Sequence, residues 1–230
     1  MTVYDDGSFQ QVQQALIAQG ESNQPILIIA KPGDRGPMRA ARAWAGQRSG
    51  SDIALMRQTL ISYGYQAEEL ERQYGDGAHG LHAFRAPHFT ISRPALVGRR
   101  ANSSAPWKHL GEYQLAFNGV LFLDEVPEFP KGHLMQLKEQ LETQNIGVRV
   151  VGVVYTRADK QDYSDGEGFV SPHGRNPDDP GTQNGAWTFA DLFNPVVIDT
   201  TGFPWVKSVL GKWMKPDTAA PRKLLYLFDD

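Results

Sequence analysis

The chain has 230 residues, a formal net charge of −3 at pH 7, 40% hydrophobic residues and no cysteine. This length and apolar content suit one α/β domain, the missing cysteines exclude disulfides and cysteine-ligated zinc, and the acidic balance argues against nucleic acid as a partner. No apolar run approaches the ~20 residues that span a bilayer, and the first residues lack the basic and apolar regions of a signal peptide. We therefore expect a cytoplasmic protein with no membrane partner.

The predicted elements alternate between helices and strands. Continuous apolar runs are typical of central parallel strands, and apolar residues three or four apart indicate helices. Strands that alternate with helices indicate a parallel sheet covered on both faces. In chain order we predict a helix over 8–19, a strand over 25–30, a turn and a helix from Pro37, one or two helices over 52–74, strands over 89–97 and 119–124, a helix over 131–143, strands over 147–155 and 195–199, and a short helix over 205–214.

The last third of the chain changes character. Residues 158–185 are rich in Asp, Gly, Pro and Asn, and such a long structureless stretch is uncommon inside a compact domain. We interpret it as a long polar loop, either functional or mobile. We expect one domain over 1–230, with a strand and a helix forming a C-terminal tail over 195–230.

Two acidic residues end the second apolar run. Val120 to Leu123 lead directly into Asp124 and Glu125. A buried strand that ends in paired acids is typical of sites that hold a metal ion and a water for nucleotide hydrolysis. The alternative is a pair of acids that merely cap a buried strand.

Two longer segments carry a family resemblance. FRAPHFTISRPALVG (84–98) and GEYQLAFNGVLFLDEVPEF (111–129) resemble the ATPase subunit of magnesium chelatase and its bacterial magnesium-chelatase-like relatives, which are AAA+ ATPases. The resemblance implies an α/β fold of the three-layer P-loop NTPase type (the AAA+ core), in which helices flank a parallel sheet.

The resemblance also assigns roles to individual residues. It implies that Asp124 lies at the Walker B position and orients Mg²⁺ through water, that Glu125 polarises the attacking water, and that Thr156, or Tyr155 beside it, replaces the asparagine that ends the family's sensor strand. It implies that a further set of residues forms loops or subunit interfaces near the site: Arg85, His88, Arg99, Arg100, Glu112 and Asn118.

The partner loop of this acid pair is degenerate. A phosphate loop reads GxxxxGK(S/T), and the turn after strand 25–30 places Arg35 at its second glycine, Gly36 at the lysine and Pro37 at the hydroxyl residue. Gly36 removes the cation, and Pro37 removes a magnesium ligand and a backbone donor. Asp34 adds a negative charge where phosphates would lie. If nucleotide binds at all, we expect Lys31, Gly33, Arg35 and Gly36 to hold it, with Lys31 or Arg35 replacing the lysine.

The end of the core also departs from the family. The related ATPases carry a helical lid with a sensor arginine after the core. Only about 30 residues follow the apolar stretch 195–199 here. We therefore expect the lid to be missing or reduced.

Three histidines raise the possibility of a metal site. Zinc would need further ligands within reach, and the family pattern accounts for His88 without a metal. We interpret His79, His82 and His88 as loop histidines.

A basic stretch accompanies an aromatic residue. Arg93, Arg99, Arg100 and Lys108 surround Trp107. Such a segment could bind single-stranded nucleic acid. The simpler interpretation is a solvated loop or a subunit contact.

Three functional hypotheses follow. The first is an AAA+ domain that has lost ATP hydrolysis, needs no cofactor, and binds a protein partner or further copies of itself through AAA+-type surfaces. The alternative is an ATPase with a non-standard phosphate loop that binds Mg-ATP in an oligomer. The third is a nucleic-acid-handling factor that uses the basic stretch.

Overall fold

A computed structural model describes residues 8–20, 22–47, 53–74, 84–100, 107–156, 189–190, 192–203, 206 and 224–226. Its elements are α1 (Phe9–Ala18), β1 (Ile26–Ala30), α2 (Gly36–Gly46), α3 (Ile53–Ser62), α4 (Ala67–Tyr74), β2 (Phe84–Arg85), α5 (Arg93–Val97), β3 (Arg99–Arg100), β4 (Trp107–His109), α6 (Glu112–Leu115), β5 (Val120–Leu123), a 3-10 helix (Val126–Glu128), α7 (Lys131–Thr143), β6 (Arg149–Tyr155), β7 (Val196–Asp199) and β8 (Leu224–Tyr226).

The described strands form two sheets. The larger has six strands in the order β2-β5-β6-β1-β7-β8, and all of its neighbouring pairs are parallel. All residues of β1, β5 and β7 are buried, which explains their continuous apolar sequences. The predicted parallel α/β sheet is therefore confirmed. The second sheet pairs β3 with β4 in antiparallel fashion.

Helices cover both faces of the large sheet. On one face Val12 and Leu16 of α1 and Trp44 of α2 pack against β1, β5, β6 and β7. On the other face Leu60 of α3 and Leu134 of α7 belong to a larger apolar cluster. Burial of these two clusters holds the three layers together, because removing apolar surface from water is the main favourable term in folding.

The strand order fixes where a ligand site should lie. The chain runs from central β1 to the edge strand β2, returns through β5 and β6 to one side of β1, and then crosses to β7 on its other side. In open parallel sheets such a switch point leaves a crevice at the carboxyl ends of the strands. The loop after β1 opens at this point.

One predicted strand is wrong. Residues 93–97 form α5, and no strand covers 89–97. Ser92 is extended, its Oγ accepts a hydrogen bond from the Ala95 amide at 3.4 Å, and Pro94 lies in the first helical turn. Proline is tolerated there because the first amides of a helix have no intrahelical partner. Residues 52–74 proved to be two helices, α3 and α4, separated by a turn at Gly64.

Other predictions fall outside the described residues. These are the polar loop over 158–185, the helix over 205–214 apart from Val206, and His79 and His82. The reduced lid and the single domain remain predictions for the same reason. Within the described ranges, no helix is both long and apolar enough to cross a membrane.

Candidate functional site

The carboxyl ends of four central strands meet at one edge of the sheet. The amide of Thr156, directly after β6, donates to the Ala30 carbonyl of β1 at 2.9 Å. The amide and the hydroxyl of Thr200, directly after β7, both donate to the Ile29 carbonyl at 2.9 Å. Asp124 follows β5 at the same edge. The structure thus brings the loop after β1 together with the acids and with the candidate sensor residue.

The loop after β1 is held by a carboxylate of its own. The Asp34 amide donates to the Lys31 carbonyl at 3.1 Å, and Gly33 between them has a φ of +82°, which favours glycine. The Asp34 Oδ1 then accepts a hydrogen bond from the Gly36 amide at 2.8 Å. Gly36 is the first residue of α2, so this carboxylate lies at the end of the helix that attracts anions.

The first turn of α1 covers the same helix end. Gly36 and Pro37 are buried. A Cβ built on Gly36 would overlap the Ser8 hydroxyl and would lie 2.8 Å from the Phe9 amide nitrogen. Position 36 therefore has no room for a side chain while α1 keeps its place.

The two cations of the loop lie on its outside. Lys31 and Arg35 are exposed. The Lys31 Nζ lies 5.3 Å from the centroid of the Phe203 ring, a cation–π arrangement. Arg35 is the N-cap residue of α2, and its carbonyl accepts from the Arg39 amide at 3.1 Å.

A tyrosine binds the first acid of the pair. The Tyr155 hydroxyl donates to the Asp124 Oδ1 at 2.8 Å, and both residues are half-buried. The pKa of Tyr155 is raised, first by burial and then by Asp124, Glu125 and Asp34. Asp124 therefore contacts the hydroxyl directly, and Glu125 and Asp34 act on it through their charge.

Glu125 has an unusual backbone. Its φ of +54° and ψ of +55° are left-handed, and its carbonyl accepts from the Glu128 amide at 2.8 Å as the 3-10 helix begins. A side chain with a Cβ is disfavoured in this region by ~1–2 kcal/mol. Such strain is concentrated at functional sites.

Removal of the Tyr155 hydroxyl should make the protein less sensitive to alkali. A raised pKa means that the folded state keeps a proton that the unfolded state loses above about pH 10. The resulting stability is complete below that pH and is lost as the pH rises towards the folded-state pKa. Tyr155→Phe should flatten the fall in unfolding free energy above pH 10 by up to ~1.4 kcal/mol per pH unit. Urea unfolding at pH 8 to 11 measures this slope, and an unchanged slope would contradict the assigned environment.

The candidate sensor residue is buried beside β1. Thr156 is 2% exposed, and its Oγ1 has no hydrogen-bond partner among the described residues. It lies at the carboxyl edge of the sheet, directly after β6.

The predicted interface residues lie in several places. Arg85 Nε and Nη2 pair with the two carboxylate oxygens of Glu112 at 2.5 and 2.6 Å, which ties β2 to α6. The His88 Nδ1 accepts from the Thr90 amide at 3.3 Å. Asn118 has a φ of +53° and precedes β5. It therefore lies at the amino end of the sheet, away from the acids.

The basic stretch is divided between α5, which contains Arg93, and the antiparallel pair of β3 and β4. Arg99 and Arg100 make up β3, and Arg99 pairs with His109 of β4. Arg99 is exposed. Among the described residues, no group of three or more histidine, aspartate or glutamate side chains is arranged to hold a metal ion.

Two features of the site were missed in the sequence. Ser8 is the N-cap residue of α1, but its side chain makes no capping bond and is directed at Gly36. Asp199 ends β7, is 2% exposed, and accepts from the amide and hydroxyl of Thr201 at 2.9 and 2.7 Å. The sequence could have indicated Asp199, because this acid ends an apolar run. No feature of the sequence indicates the contact of Ser8 with Gly36.

Comparison with known sequences supports a relationship to magnesium chelatase. Residues 63–158 match the family model described as magnesium chelatase, subunit ChlI. The chain is 34% identical over 121 residues to the protein YifB of Escherichia coli (strain K12), covering 53% of this chain and 22% of that protein. It is 32% identical over 137 residues to the competence protein ComM of Haemophilus influenzae, covering 60% and 25%. The chain thus spans about a quarter of the length of these relatives.

Solved structures give a weaker likeness. NtrX from Brucella abortus in complex with ATP is 17% identical, with a TM-score of 0.38, covering 68% of this chain and 31% of that one. The same protein in complex with ADP gives 18% identity and a TM-score of 0.40. These values are too low to transfer any residue's role.

Proposed function

Because residues 63–158 relate this chain to the magnesium-chelatase-like AAA+ proteins, we propose that it contains an AAA+ core that has lost ATP hydrolysis and acts as a binding, scaffolding or regulatory subunit. The observation that carries this proposal is the Asp34 carboxylate on the first amide of α2, at 2.8 Å from the Gly36 nitrogen. A nucleotide phosphate would need this place.

The loop residues do not fit a magnesium–nucleotide complex. Gly36 has no side chain to reach a phosphate, and Pro37 has neither a hydroxyl nor an N–H. The Lys31 ammonium lies over Phe203. Asp124 already accepts a hydrogen bond from Tyr155.

Electrostatics at the site oppose a phosphate chain. Burial raises the pKa of the Tyr155 hydroxyl most, and the negative charges of Asp124, Glu125 and Asp34 raise it further. A phosphate placed near these carboxylates would be repelled by their like charges. A triphosphate would meet this repulsion without the lysine that normally offsets it.

The segments that resemble the family most are well supported internally. The Gln114 side chain accepts from the Gly111 amide at 2.9 Å and donates to the Val97 carbonyl at 3.3 Å. The Tyr113 hydroxyl donates to the Gln144 carbonyl at 2.6 Å. Together with the Arg85–Glu112 pair, these bonds fix α6 against α5, α7 and β2. We assign docking on a protein partner, either further copies of this chain or an active AAA+ protein, to the exposed residues of these segments, such as His88, Thr90 and Arg93.

Nucleotide titration is the direct test. With ATP or ADP at millimolar concentration, with and without Mg²⁺, isothermal titration calorimetry should give no binding heat. Circular dichroism of the same sample should show that the protein is folded. Magnesium-dependent binding in the micromolar range would overturn the proposal.

The strained backbone of Glu125 favours a second candidate, an ATPase with a non-standard phosphate loop that works in an oligomer. A strained residue can be retained because its side chain is needed for catalysis. Under this alternative the titration would show binding, and Glu125→Gln would abolish magnesium-dependent turnover while leaving binding intact.

A further inference from the structure

We propose that Asp34 is a tethered substitute for phosphate at the N-terminus of α2, and that the first turn of α1 seals it in place. The inference deepens the proposed function and rests on it, because a chain that binds nucleotide would need the same helix end for its phosphates. It explains how the loop is held without a ligand.

The N-terminus of α2 needs a negatively charged group. Helix N-termini carry unpaired amides and a partial positive charge, which a negative group stabilises. The first turn of α2 contains no acidic residue. Asp34, two residues before Gly36, supplies the charge through its 2.8 Å hydrogen bond to the Gly36 amide.

A buried hydroxyl lies at the same helix end. Ser8 is 4% exposed, and its Oγ has no hydrogen-bond partner among the described residues. Both this Oγ and the Asp34 Oδ1 approach the point that a Cβ on Gly36 would occupy. A buried hydroxyl without a partner normally destabilises a protein. Here the hydroxyl is directed at the Gly36 position, beside the Asp34 carboxylate, where it could donate to an anion.

The first turn of α1 covers the N-terminus of α2. α1 packs against α2 through Val12 and Leu16, which contact the apolar cluster that contains Ala40 and Trp44. This packing places the Phe9 backbone directly over Gly36. The Gly36 residue that binds the resident carboxylate is therefore covered by α1, whereas Asp34 itself is half-buried.

Inorganic phosphate can test whether the N-terminus of α2 is an anion-binding site that Asp34 normally fills. The variants are Asp34→Ala, which empties it, and Glu139→Ala, which removes an exposed carboxylate from α7 and serves as the matched control. Melting temperatures are measured with 0 to 50 mM phosphate at constant ionic strength. The control corrects for the general stabilising effect of phosphate on folded proteins.

The expected result is specific rescue. Asp34→Ala should melt several degrees below the parent protein, and phosphate should raise its melting temperature by about 3 °C more than that of Glu139→Ala. Adding Ser8→Ala to Asp34→Ala should reduce this extra rise, since it removes the second donor. The parent protein should respond like the control.

The outcomes separate the two proposals. If Asp34→Ala responds to phosphate no more than Glu139→Ala, the tethered-phosphate inference is overturned while the loss of nucleotide binding still stands. If the parent protein is itself stabilised by ATP, the proposed function is overturned. Should Asp34→Ala fail to fold, Asp34→Ser replaces it, because serine is also a favourable turn residue and carries no charge.

Discussion

Introducing a lysine with Gly36→Lys is expected to lower the free energy of unfolding by about 3 kcal/mol or more and to create no nucleotide binding. The Cβ alone would overlap the Ser8 hydroxyl and lie 2.8 Å from the Phe9 nitrogen. A backbone atom cannot move aside as the end of a flexible side chain can, so α1 would have to shift. The lysine would also bring its charge into a buried position.

The same helix provides a matched control. Gly46, in the last turn of α2, is exposed and has open space around its Cβ position. Gly46→Lys should raise stability by ~0.5–1 kcal/mol, because lysine is the better helix former and favours a helix C-terminus. Urea unfolding followed by circular dichroism compares the two variants, and an ATP titration of each completes the test. Equal stability of Gly36→Lys and Gly46→Lys would show that α1 does not close the loop.

Replacing the buried Arg149 with methionine is expected to lower stability by about 3 kcal/mol, because hydrogen bonds to charged groups contribute ~1.5–3 kcal/mol each. Arg149 is 2% exposed at the start of β6. Its Nη2 donates to the Gly20 carbonyl at 2.6 Å and its Nε to the Ser22 carbonyl at 3.3 Å. Its guanidinium also stacks on Trp44, 4.6 Å from the ring centroid. Methionine keeps much of the apolar volume but leaves both carbonyls without this donor.

Arg42 offers the comparison for this second variant. Its guanidinium lies 5.0 Å from the Phe84 ring, but the side chain is exposed. Because exposed cation–π contacts contribute ~0.5–1 kcal/mol, Arg42→Met should change stability by no more than that. Chemical unfolding of both variants separates stacking from buried hydrogen bonding. A loss of less than 1 kcal/mol for Arg149→Met would mean that this arginine does not anchor the α1–β1 connection.

Much of the sheet could be predicted because buried parallel strands have a simple pattern. β1, β5 and β6 follow continuous apolar runs, and α7 has the predicted bounds, Lys131–Thr143. The apolar residues of α5 resemble those of a strand, but Ser92 and Pro94 before them are a helix start signal that the sequence displays.

The site was predictable only in part. Carboxyl ends of parallel strands meet at one edge, so the grouping of Asp124 and Thr156 with the loop after β1 followed from the order of elements. The bond between Tyr155 and Asp124 depends on the register of β5 and β6, which pairs Leu123 with Gly152. The contact of Ser8 with Gly36 depends on how closely α1 and α2 pack. Neither register nor packing distance is encoded in hydrophobic periodicity.

The small residues of α2 have an evolutionary consequence. Gly36, Ala40, Ala41 and Ala45 are buried and leave little side-chain bulk between this helix and its neighbours. A lysine that arose by mutation at position 36 alone would lower stability before it could have any effect on ligand binding. A second change, one that displaces the start of α1, would have to occur first and would bring no benefit by itself. The glycine at position 36 is therefore entrenched by the helix beside it.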